Sequence, residues 1–123
     1  MKIVDYDPRI HPKAWRGKTN FVDKNNVVVG FDTNQNCCED FGWYISESED
    51  FDTAKDSNLG DVNYCHDYVF DKSYRGVGDG LFRLTAEGQP DLFLHLYNHH
   101  NGYYAHGFDM TDSDGTQISS GSL

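Results

Sequence analysis

The dipeptide Asn101-Gly102 constrains this chain more than any other feature. Asn and Gly both tolerate the positive φ angles of a type I′ turn, and here they separate two apolar runs, residues 92–98 and 103–110, after His99 and His100. A two-residue loop sets a register in which His100 faces Tyr103, His99 faces Tyr104, Tyr97 faces His106 and His95 faces Phe108. Alternation then splits the side chains. Leu92, Leu94 and Leu96 form the expected core face, and Phe93, His95, Tyr97, His99, Tyr104, His106, Phe108 and Met110 form the other. The run 81–86 reaches the leucines through 87–91, which holds Gly88 and Pro90. With those five residues as the loop, Phe82, Leu84 and Ala86 join the leucine face. The aromatic and histidine face is either covered by the N-terminal half or left partly open.

At 123 residues the chain makes one domain, 1–123, with a modest core. Aromatic residues make up 15% of it, so the core is built largely from Phe, Tyr and Trp. Sixteen of the twenty acidic residues are Asp, a turn former and poor helix former, and twelve Gly accompany them. The expectation is a mainly β protein, α+β at most: a single-domain antiparallel sheet built of hairpins with one or two short helices.

Along the chain, Pro8 and Pro12 make residues 1–16 irregular, with Trp15 docking on the core. Phe21 and Val22 pair through a turn at 24–26 with the run 27–32, whose Val27, Val29 and Phe31 share a face. An aromatic strand covers 41–46, a weakly patterned helix 52–59 and a short strand 64–71. Gly76, Gly78 and Gly80 lead into a strand rather than a helix, which suits turns or bulges and not a phosphate-binding loop. Asp114-Gly115 signals a second hairpin turn, ahead of a short run at 116–118 and a frayed tail at 119–123.

No apolar run approaches the roughly 20 residues that span a bilayer, and residues 1–6 lack the apolar core of a signal peptide, so a soluble, cytoplasmic protein without membrane contact is expected. Three cysteines, two of them the adjacent Cys37 and Cys38, make no disulfide framework and are expected to be free thiols. The formal net charge is −10 and uneven. Residues 1–24 hold six Lys and Arg against three Asp, a balance of +3, which leaves −13 for the rest. Such a surface repels nucleic-acid backbone, so no direct nucleic-acid binding is expected, and it attracts basic partners.

The histidines raise a metal hypothesis, since the hairpin register sets His106 diagonal to both His95 and His99. The pattern lacks a carboxylate on the same strands to serve as base, so neither a metal nor another cofactor is expected. Glu39 and Asp40 raise the thiol pKa of their cysteine neighbours, which disfavours a nucleophile. Residues 112–115 are a turn and not a calcium loop, because Met110 and Gly121 stand where the first and last ligands belong. No catalytic residue is assigned, and the reading inclines away from an enzyme.

Gln35, Cys37, Cys38 and Glu39, together with Asn101, Gly102, Tyr103 and Tyr104, resemble two motifs of a domain family of unknown function found in phage and bacterial genomes. That family carries a Gln-Asp-Cys-Cys-Glu segment after a strand and an Asn-Gly-Tyr-Tyr hairpin near its C-terminal end. Here Asn36 replaces the Asp, and Thr33 stands in place of a His. The resemblance spans roughly residues 17–110 and implies a phage or mobile-element setting, hence the host cytoplasm, but no activity. Two function classes follow. One is a small acidic, non-catalytic interaction module, a phage-encoded inhibitor or regulator that meets a basic host or phage protein, such as a nucleic-acid-binding or defence protein, through Glu47, Glu49, Asp50, Asp52 and Asp56. The alternative is a small-molecule- or metal-binding protein or enzyme with a pocket of Tyr97, Tyr104, His95, His99 and His106.

Overall fold

A computed structural model describes residues 2–4, 18–32, 40–49, 66–74, 76, 80–99 and 106–123. They form nine strands: β1 Lys2–Val4, β2 Lys18–Val22, β3 Val28–Asp32, β4 Asp40–Ser46, β5 Val69–Phe70, β6 Leu81–Thr85, β7 Leu92–His99, β8 Gly107–Thr111 and β9 Gln117–Ser122. The strands make two antiparallel sheets, a five-stranded one in the order β1-β2-β3-β8-β9 and a four-stranded one in the order β4-β7-β6-β5. The mainly β expectation therefore holds, and no α-helix occurs among the described residues. The span 52–59, where the sequence suggests a helix, lies outside them.

The two sheets face each other across one apolar layer. Phe21, Val29, Phe31, Phe108 and Met110 enter it from the five-stranded sheet, and Ile45, Phe82, Leu84, Leu92, Leu94 and Leu96 from the other. Aromatic edges lock the layers together: Phe21 meets Trp43 with ring centroids 5.0 Å apart at 80°, and Phe82 meets Phe108 at 5.7 Å and 86°.

The β2–β3 hairpin follows its pattern, with Phe21 opposite Val29 and Thr19 opposite Phe31. Its turn is held by Asp23, a buried residue whose Oδ1 accepts from the backbone N–H groups of Asn25 (2.9 Å) and Val27 (3.0 Å). Asn26 takes the left-handed conformation that Asn tolerates, at φ 60°. The other carboxylate oxygen, Oδ2, accepts from Phe70 N–H at 2.9 Å, so one side chain in the first sheet ties down β5 in the second.

The predicted register across Asn101-Gly102 is wrong. β7 pairs with β4 and β6, whereas β8 pairs with β3 and β9, so Tyr97 and His106 belong to different sheets and are not neighbours. The turn residues themselves lie outside the described residues. A single hairpin would have set Phe108 and Met110 on the face opposite the three leucines, giving a sheet with two apolar faces. Changing sheets after β7 brings both sets into one core.

Three smaller corrections share a cause, namely local signals that tertiary pairing overrides. β6 and β7 keep the predicted parity but shift by two residues, with Leu84 opposite Leu92. Their connection is longer than the five-residue loop expected, running over 86–91, and within it Gln89 N–H reaches Ala86 C=O at 3.1 Å with Gly88 at φ 73°. Residues 1–16 are not irregular throughout, because Lys2–Val4 adds β1 to the edge of β2. The tail does not fray: 117–122 form β9, and Leu123 exchanges two backbone hydrogen bonds with His106, both 2.9 Å. The Asp114-Gly115 turn does close the β8–β9 hairpin, with Asp112 N–H donating to Thr116 C=O at 2.8 Å.

Candidate functional site

Alternation on β7 sends the three leucines inward and turns Phe93, His95 and Tyr97 to the outer face of the four-stranded sheet. β4 runs alongside, with Tyr44 opposite His95 and Gly42 opposite Tyr97. The Tyr44 ring stacks flat on the His95 imidazole, centroids 4.5 Å apart and planes 9° from parallel, and lies 6.0 Å from Tyr97 at 41°. Gly42 leaves room for this row, since a Cβ there would stand 2.8 Å from the Tyr97 hydroxyl oxygen.

The chain leaving β4 folds back over that face. Ser46 Oγ accepts from Ser48 N–H at 3.1 Å and donates to Ser48 C=O at 3.0 Å, and His95 Nε2 donates to the same carbonyl at 2.8 Å. From the β5–β6 connection, Tyr74 donates its hydroxyl to Glu49 Oε2 at 2.7 Å and sets its ring 5.9 Å from Phe93. The face is consequently closed where it carries most aromatic mass: Tyr44 and His95 are 3% exposed and Phe93 is 7% exposed, while Tyr97 is half-buried. Burial lowers the pKa of His95 from its ordinary value, with the Ser48 bond working against that shift. Burial together with the Glu49 bond pushes the Tyr74 hydroxyl up to about 12.

His106 belongs to a different environment. Just before β8 it stacks on Phe41 with centroids 4.1 Å apart, donates from Nδ1 to Asp32 C=O at 2.7 Å, and is 1% exposed. It is a core histidine. The histidines that the hairpin register grouped are thus divided between two sheets, and His95 and His106 each spend one ring nitrogen as a donor to a carbonyl. The backbone of His99 pairs with Asp40 at the end of β7. Tyr104, Asp50, Asp52, Asp56, Cys37 and Cys38 lie outside the described residues. Among the described residues no group of three or more His, Cys, Asp and Glu could hold a metal ion, and no helix is long and apolar enough to cross a membrane.

Acidic groups dominate the described surface. Glu47, Glu49, Asp67, Glu87 and Asp114 are exposed, against Lys24 and Lys72. Two of the cations are moreover engaged by carboxylates: Lys72 lies 3.3 Å from Asp112, and Arg83 holds Asp91 at 2.6 Å and Asp71 at 3.6 Å. Hydrogen bonds from Ser73, with the Arg83 charge adding to them, keep the Asp71 carboxyl below its usual range, although burial opposes them. Bonds from Thr116 do the same for Asp114. Glu47 and Glu49 project where the chain leaves β4, beside the aromatic row, so the acidic and aromatic candidates adjoin each other.

Sequence reading missed Tyr44, Tyr74 and Asp23. Tyr44 could be placed only by knowing that β4 is the partner of β7, and Tyr74 only by the fold of its loop. Asp23 did leave a signal, an Asp heading a Lys-Asn-Asn turn, where Asx side chains bond to backbone N–H groups just ahead. Comparison of the chain with family models, with curated proteins and with solved structures returns no match.

Proposed function

We propose that this protein is a small acidic interaction module that binds the basic surface of a protein partner, without catalysis. The observation that carries the reading is the excess of exposed carboxylates over free cations: five exposed acidic residues stand against Lys24 and an already paired Lys72. Carboxylates spaced over the turns and strand ends steer a basic partner and can occupy a groove that otherwise receives phosphates. The alternative, a Tyr and His pocket, has less support, because His95 lies beneath the 47–49 segment and His106 lies in the core. A phage-encoded inhibitor or regulator of a nucleic-acid-binding or defence protein fits the acidic reading and the motif resemblance at residues 35–39 and 101–104.

The test is capture from host lysate at low and high salt, comparing the wild type with a variant in which Glu47→Gln is combined with Asp50→Asn, Asp52→Asn and Asp56→Asn. Glu47 is exposed, and all four changes keep the size and shape of the side chain, so the variant is expected to fold. The expected partner has a basic surface, and both salt and the substitutions weaken its capture at least tenfold. Unchanged affinity of the variant in low salt refutes the reading. Loss of capture in a folded Tyr97→Ala protein, with the acidic variant unaffected, transfers the function to the aromatic row.

A further inference from the structure

We infer that β9 is a self-association edge, through which two copies of this chain pair their five-stranded sheets about a two-fold axis. Among the described residues β9 ends its sheet, with β8 on one side only. Its outward backbone groups can be identified from the ladder. Leu123 and His106 exchange both of their bonds, so by alternation Gly121 and Ser119 also face β8, and the N–H and C=O of Ser120 and Ser122 point to the open edge. A sheet edge that displays such groups is a template for a further strand.

The other edges differ. β1 has three residues and begins with Lys2, and β5 has two, both short enough to discourage pairing. β4 is long, but Tyr44 and Ile45 on it already make further interactions. β9 has six residues, and past the register slip at Ile118 it carries no charged or proline deterrent: residues 115–123 include no Pro and no ionisable side chain.

The absence of charge selects the occupant. On a chain of net charge −10, a basic partner is attracted to the carboxylates and finds nothing at β9, whereas a second copy can approach there without opposing one charge to its like. The side chains fit as well. With the axis on Gly121, Ser120 of each copy meets Ser122 of the other as a bonded pair, giving four backbone hydrogen bonds, and Gly121 meets Gly121 where Cα atoms come within about 4.5 Å. The contact is isologous and closes as a dimer. One strand pair buries far less than the roughly 1,200 Å² of a stable interface, so the dimer is weak, with a Kd on the order of 0.1–1 mM.

Charge gives the association a signature opposite to that of acidic docking. Two bodies of charge −10 repel, so raising the salt to about 0.5 M, where the screening length is a few Å, strengthens the dimer. Sedimentation equilibrium of the full chain up to about 1 mM should show a monomer–dimer equilibrium that tightens with salt. Ser120→Pro removes an outward N–H but no β8–β9 bond, and should weaken the dimer at least tenfold with the near-ultraviolet circular dichroism unchanged. If that variant fails to fold, Ser120→Lys with Ser122→Lys carries the test, because edge lysines block pairing without entering the ladder. A protein monomeric at 1 mM in high salt overturns the inference, and so does a folded edge variant that dimerises like the wild type.

Discussion

Asp23 is a single buried side chain that joins the two sheets. It is 3% exposed, and its carboxylate accepts three backbone N–H bonds, from Asn25 at 2.9 Å, Val27 at 3.0 Å and Phe70 at 2.9 Å. Asp23→Ala leaves all three donors without an acceptor. Asn25 is exposed and recovers its bond from water, but Val27 and Phe70 are buried. An orphaned buried donor costs about 1–3 kcal/mol, and bonds to a charged acceptor sit in the upper half of that range, so the loss is about 3–5 kcal/mol. For a domain whose whole stability is about 5–15 kcal/mol, this is a large share. Asp23→Asn should cost less, about 2 kcal/mol, since Oδ1 can still serve the turn while the new amide turns a donor toward the Phe70 N–H.

The assay is urea unfolding followed by tryptophan fluorescence, because Trp43 packs on Phe21 at the sheet interface. With a slope of about 1.5 kcal/mol per molar urea, the Ala midpoint falls by roughly 2–3 M and the Asn midpoint by roughly 1–1.5 M. Amide exchange adds a positional test: Phe70 should lose more protection than Val29 in the Asn variant, since only Phe70 faces the lost acceptor. An Ala midpoint within about 0.5 M of the wild type would refute the argument. So would equal loss of protection at both amides, which would mean that the turn and not the bridge between sheets is what Asp23 supports.

Two glycines test close packing against different neighbours. A Cβ at Gly121 would stand 2.7 Å from Phe108 Cζ, a ring end fixed in the core, whereas one at Gly42 would meet the hydroxyl of half-buried Tyr97, which can swing outward. Gly121→Ala should therefore cost about 1–3 kcal/mol in thermal unfolding and Gly42→Ala well under half as much; equal costs would show the Tyr97 row to be as rigid as the core. Because burial depresses the His95 pKa below 6.5, its contribution to stability is complete above that pH and is lost as the pH falls through the lower folded value. His95→Gln, which keeps a donor for Ser48, should flatten the fall in stability below pH 6.5, and an unchanged slope would count against it. Tyr74 has the opposite sign, its contribution holding below pH 10 and fading as the pH rises through about 12, so Tyr74→Phe should flatten the alkaline limb of the stability profile.

What could be read from the sequence depended on the range of each interaction. Alternation in 27–32, 81–85 and 92–96 identified the inward residues, because burial of one face acts on every second position whatever strand lies alongside. Partners were harder to read. Phe82 and Leu84 reach the core in any register of the right parity, so pattern alone could not choose between Leu92 and Leu94 as the neighbour of Leu84. The turn did that, through a bond between Ala86 and Gln89. At Asn101-Gly102 the same ambiguity reached further, because a strong turn signal says that the chain reverses and leaves open whether it reverses within a sheet or between two.

The candidate site inherited that error. Once His106 was set opposite Tyr97, the aromatic and histidine residues read as one surface, and a shared pocket followed. In the sandwich, His95 and His106 perform similar tasks far apart in the topology: each lies against an aromatic ring, Tyr44 or Phe41, and each donates to a carbonyl, Ser48 or Asp32. Both buried rings thus satisfy one of their own nitrogens against backbone. The acidic residues were legible for the converse reason. A solvated carboxylate needs no partner to be placed at the surface, and Glu47, Glu49, Glu87 and Asp114 stand exposed on the segments where composition alone set them. Exposure of these four carboxylates is consequently what sequence and structure report in common at the described positions.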